Sequence, residues 1–202
     1  MPSYGPVSQT ARILGLETVP LSRIPTDEAW RIDREEWAQI LVQVDLLMIS
    51  PQLNPVGWSY TESDRKWLVE FCIKHDINVI SDEVYSGADR NWKPFFKEGK
   101  NFITISSLTK VHGLGVVRYG WICADREIIR YIGRSFHNME GMMASPTIRI
   151  VEQIKDRLNE PIELIEQYRE ENLPILQESL TRLGIKWTRP LLVFLDHSGY
   201  QE

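Results

Sequence analysis

Lys110, in the stretch SSLTKVHGLG, carries an amine, a group that can act as a nucleophile and proton carrier. The apolar run NVIS (78–81) ends on the adjacent carboxylates Asp82 and Glu83, with the phenol of Tyr85 two positions on. A carboxylate there can pair with a cation, and a phenol can donate a hydrogen bond. Asn54, 28 residues before Asp82, adds an amide, Ser107 a hydroxyl, and Arg118, eight residues past Lys110, a forked guanidinium suited to phosphate. Each residue also has an ordinary reading: Asp82 as a helix or turn cap and Lys110 as a solvated charge, while Tyr85 alone means little. An apolar run ending in Asp-Glu also occurs in phosphate-loop ATPases, but these need a GxxxxGK[ST] loop, and the chain has none.

What must position these residues is an alternation of strands and helices, which argues for an α/β sheet with parallel strands joined by helices. DLLMIS (45–50), INVIS (77–81) and NFITIS (101–106) read as buried strands, and YGWICA (119–124) as a fourth after a glycine-bearing loop. Thr61 and Asp64 suggest a capping box for a helix whose Trp67, Leu68, Phe71 and Cys72 share a face. Asp125 opens an amphipathic helix, and another follows Pro146 with Ile148, Val151, Ile154 and Leu158 on one face. From Glu163 the chain is charged helix, and Pro174 is expected in the first turn of a new helix. LLVFL (191–195) is the last strand expected. In open α/β sheets ligands bind beyond the carboxyl ends of parallel strands, so one crevice can gather Asn54, Asp82, Tyr85, Ser107 and Lys110.

Composition narrows the classes. The 202 residues are 43% hydrophobic and 25% charged, and 23 basic against 28 acidic residues give a net charge of −5. That is a globular chain with no basic run to hold nucleic acid. Cys72 and Cys123 lie apart without metal-ligand spacing and read as buried structural thiols in a reducing compartment. The four histidines, His75, His112, His137 and His197, show no ligand spacing either, and no metal site is expected. Trp58 and Trp121 read as packing residues. No stretch approaches the roughly 18 to 20 apolar residues of a membrane helix. No membrane partner is expected, and the expected location is the cytoplasm.

Taken in order, Pro51-Gln-Leu-Asn54-Pro55-Val-Gly57, Asp82-Glu-Val-Tyr85, Ser107-Leu-Thr-Lys110 and then Arg118 resemble the fold-type I pyridoxal-phosphate enzymes, specifically the class I/II aminotransferases. The resemblance implies a three-layer αβα sandwich with a mostly parallel sheet, the strand at 119–124 antiparallel, and pyridoxal 5'-phosphate as cofactor. It implies that Lys110 forms a Schiff base with the cofactor aldehyde and then shuttles the Cα proton, and that Asp82 keeps the ring nitrogen protonated. Tyr85 and Asn54 would hold the phenolic oxygen, and Arg118 and Ser107 the phosphate. Tyr4, in MPSYGP, would stack on the ring, though it also reads as an ordinary turn aromatic. Glu83 would be structural.

Residues 1–160 are thus expected to form part of a cofactor-binding large domain, and 161–202 the start of a small α/β domain. Against the family pattern the similarity covers the middle of a subunit, with a phosphate-cupping turn before it and a substrate-carboxylate arginine after it. The implied activity is amino-group transfer between an amino acid and a 2-oxo acid, in a protein whose complete relatives pair as homodimers. A lyase using the same Schiff base, and a non-catalytic remnant or binding module of this fold, stand as alternatives.

Overall fold

The computed structural model describes residues 5–25, 30–52, 54, 59–88, 91–139 and 143–184. Tyr4, Trp58 and the LLVFL segment lie outside them. Helix α1 (Pro6–Ile13) precedes a short antiparallel pair, β1 (Arg23–Pro25) and β2 (Trp30–Ile32). Helix α2 (Arg34–Leu41) follows, its N-terminus capped by Asp33, whose carboxylate accepts from the amides of Glu35 and Glu36 at 3.1 Å each.

The main sheet has four strands in the order β3 (Leu46–Ile49), β4 (Asn78–Asp82), β5 (Phe102–Ser107), β6 (Gly120–Cys123). The first three are parallel and β6 runs antiparallel to β5. These are the four strands expected from the apolar runs, with the direction of β6 that the resemblance implies. The register places Val79 opposite Phe102 and Ser81 opposite Thr104, so the buried residues of β4 and β5 share a face. On it Val79 and Phe102 join Trp37 and Leu41 of α2, Leu68 and Cys72 of α3 (Glu62–Lys74) and Phe95 in one continuous core. Burying such a side chain contributes about 1.5–3 kcal/mol.

Thr61 caps α3 as expected, accepting from the Asp64 amide at 3.2 Å. Asp64 does not complete the reciprocal box; its carboxylate takes two bonds from Arg34, at 2.7 and 2.9 Å. Burial pushes the Cys72 thiol up to about 12, which makes it the inert structural thiol expected. Cys123 is half-buried, more open than expected, because β6 edges the sheet among the described residues.

After β6 come α4 (Arg126–Met139), α5 (Ser145–Ile154) and α6 (Asn159–Arg182). The Asp125 carboxylate accepts from the Glu127 amide at 2.8 Å, and Pro146 sits in the first turn of α5. Pro174 corrects the expectation: it lies inside α6 and starts no helix. The ring costs one backbone bond to the carbonyl of Glu170. Both residues are exposed, so water can satisfy that carbonyl and the helix continues. Among the described residues, no helix is long and apolar enough to cross a membrane.

Candidate active site

Because β3, β4 and β5 run in one direction, their carboxyl ends share a rim, and the segments leaving it carry the polar residues singled out above. A cleft of about 410 Å³ opens there. Asn54, Asp82, Tyr85, Ser107, Lys110 and Arg118 all line it. Of the candidate residues, Tyr4 alone lies outside the described part of the chain.

Asp82 ends β4, half-buried, and accepts from the Val84 amide at 3.2 Å. Burial pushes its carboxyl up from the ordinary range, and the Val84 bond offsets only part of this. It therefore has the turn-cap bond of the plain reading while its desolvated carboxylate faces a cleft. Lys110 is exposed, with Nζ 5.9 Å from the centre of the Tyr85 ring, within cation–π reach. Ser107 accepts from the Thr109 amide at 3.2 Å, which leaves its own hydroxyl proton to donate into the cleft.

Arg118 has φ 52° and ψ 46°, the left-handed conformation that costs a non-glycine residue about 1–2 kcal/mol. Two backbone bonds brace the loop around it: Leu108 N to Tyr119 O and Leu114 N to Leu108 O, both 3.0 Å. This backbone carries a forked cation that lines the cleft. Next to it, Gly120 lets β6 close onto β5, since a Cβ there would stand 3.0 Å from the Ser106 carbonyl oxygen.

Glu83 faces away from the cleft, as the alternation along an extended chain requires. Its carboxylate is buried and accepts from Trp92 Nε1, the Phe95 amide and Thr104 Oγ1, each at 2.9 Å. These bonds tie the segment after β4 to β5. Glu83→Ala, which orphans two buried donors and the half-buried Trp92 Nε1, is expected to cost about 3 kcal/mol in a urea melt. His112 is also buried: its Nδ1–H donates to the Leu158 carbonyl at 3.1 Å, its ring lies 6.1 Å from that of Trp121, and burial pushes its pKa down. It binds the loop after Lys110 to the residue before α6 and does not line the cleft. Gln52 does line it, and sequence reasoning passed over it because a glutamine beside prolines has no distinctive spacing.

A family model for aminotransferase class I and II matches residues 1–199. The chain belongs to this family. Among aminotransferases, the histidinol-phosphate aminotransferase of Pyrococcus furiosus is 27% identical over 172 residues, covering 84% of this chain and 48% of that protein. The kynurenine–oxoglutarate transaminase 3 of Bos taurus is 26% identical over 141 residues, 63% of this chain and 31% of the relative. The chain thus spans about half or less of the length of these relatives.

Among solved structures, the N-succinyldiaminopimelate aminotransferase of Mycobacterium tuberculosis superposes with a TM-score of 0.80 at 20% identity, over 91% of this chain and 50% of that one. A PLP-bound C-S lyase of Staphylococcus hominis gives 0.76 at 20% identity, over 89% and 48%. These likenesses establish the fold as the α/β fold of this enzyme group.

Proposed function

We propose that this chain carries the cofactor-binding centre of a pyridoxal-phosphate-dependent aminotransferase, moving an amino group between an amino acid and a 2-oxo acid. The observation that carries the reading is the convergence of Lys110, Asp82, Tyr85, Asn54, Ser107 and Arg118 on one cleft in a chain of this family.

The cleft fits the group. Its volume, about 410 Å³, lies in the range of small-cofactor sites, and it offers a cation with a fork and a hydroxyl suited to phosphate. Among the described residues, the only hydrogen bond to the desolvated Asp82 carboxylate comes from the Val84 amide, so it gains most from a cationic ring nitrogen. When bound, pyridoxal phosphate supplies an aldehyde open to amines and a protonated ring that takes up electron density from Cα.

The protein's share is to hold, orient and move protons. Lys110 Nζ would attach the aldehyde and, once released by an incoming amino acid, carry the proton to and from Cα. Asp82 would keep the proton on the ring nitrogen. Tyr85 and Asn54 would donate to the phenolic oxygen, and Arg118 with Ser107 would anchor the phosphate. Tyr4 would complete the proposed set as the aromatic that stacks on the ring.

We place the large-domain boundary near residue 160, which falls in the first turn of α6, with 161–202 opening the small domain. A cytoplasmic homodimer is the setting that suits the chain. Its cysteines are free, and α4 and α5 leave Tyr131, Phe136 and Ile148 exposed, as an interface would require.

The test is to mix the chain with pyridoxal phosphate, reduce with borohydride and map the labelled peptide. One label per chain, on Lys110, is expected. Label spread over surface lysines, or none, would defeat the reading.

A further inference from the structure

Outside the residues assigned above, the cleft rim holds a buried polar pair. Ser86 Oγ donates to Gln52 Oε1, across 34 positions of sequence. Gln52 is 7% exposed and Ser86 1%, so the bond is largely shielded from bulk water. Gln52 stands two residues before Asn54 in the segment leaving β3. Ser86 stands one residue after Tyr85 in the segment leaving β4, where its amide also donates to the Glu83 carbonyl at 3.0 Å. The two strands are in register, Ile49 opposite Ser81, but beyond their ends no backbone bond links the two segments among the described residues. Among the described residues, the side-chain pair joins them.

We infer that Gln52 and Ser86 form a clamp that sets the separation of Asn54 and Tyr85, and are positioning residues for the cofactor ring. The inference rests on the proposed function. An ordinary loop staple would affect melting alone. A clamp that places two donors on the phenolic oxygen also changes how tightly the ring is held and the pH at which the lysine-linked chromophore changes colour.

The experiment compares the full chain with Gln52→Ala, Ser86→Ala, the double variant and Ser86→Thr, following visible absorbance during pyridoxal phosphate titration and across pH. Each alanine variant is expected to lose roughly five- to tenfold in affinity and to shift the midpoint pH of the band. The double variant should be no worse than the singles, since both remove one bond, and Ser86→Thr should restore most of the loss. Should an alanine variant fail to fold, Ser86→Cys weakens the donor at nearly equal volume and should move both readouts the same way by less. Lower melting temperatures with unchanged affinity and band midpoint would overturn the clamp. Borohydride mapping separates the two failures: label on Lys110 with indifferent variants sinks the clamp alone, whereas no label on Lys110 in the parent chain sinks it together with the functional reading.

Discussion

Lys110→Ala is expected to remove the visible band formed with pyridoxal phosphate and to cut the proposed amino-group transfer about a thousandfold or more, the scale of losing a nucleophile and a proton carrier together. The fold should barely register the change. Lys110 is exposed, and it approaches the Tyr85 ring only loosely, 5.9 Å from its centre. A surface substitution of this kind shifts stability by about 0.5 kcal/mol or less, so the melting temperature should move by no more than about 2 °C. This combination separates a chemical role from a structural one. Lys66→Ala, on the exposed face of α3, serves as the control and should leave band and activity unchanged. A band of full intensity in Lys110→Ala, fixed elsewhere by borohydride, would move the site from this cleft.

Lys110 could be singled out from sequence because the order of its motif with those of Asn54, Asp82 and Arg118 resembles the family pattern, and topology agrees with that order. Asn54, Asp82 and Ser107 follow apolar runs long enough to read as strands, and parallel strands bring their ends to one rim without any further information. Thr61 and Asp125 marked helix starts because a cap is a local device. What could not be read depends on either very short or very distant contacts. β1 and β2 have three residues each, too few to show a period. α2 has eight, and its buried Trp37 and Leu41 make only one helical repeat. The Gln52–Ser86 bond depends on the paths of two loops, and the left-handed backbone at Arg118 on one bond that Leu108 donates and one that it accepts, which close a loop around it. Pro174 misled because the cost of a proline depends on whether the abandoned carbonyl meets water, and that is a property of the fold.

Asp82→Asn should leave attachment of pyridoxal phosphate at Lys110 possible while slowing Cα proton removal by about 100-fold or more, because a neutral amide no longer holds the ring proton in place. Exchange of the substrate α-proton in deuterated buffer measures that step directly. The same variant should make the cofactor-free chain more stable at neutral pH. Burial raises the Asp82 pKa above its unfolded value, so the folded chain binds that proton more tightly than the unfolded one. Stability from this group therefore falls as pH climbs from the unfolded carboxyl value, about 3.9, through the raised folded value, and stays low above it. Asparagine never ionises, and its carbonyl can still accept from Val84. Its advantage in thermal melts should be full near pH 7.5 and shrink toward pH 4.5. Adding pyridoxal phosphate should reverse the order, because a cationic ring nitrogen repays the ionised carboxylate and gives the asparagine nothing. If Asp82→Asn instead melts lower than the parent chain at pH 7.5 without cofactor, its carboxylate is already stabilised within the protein and is not held for a ligand.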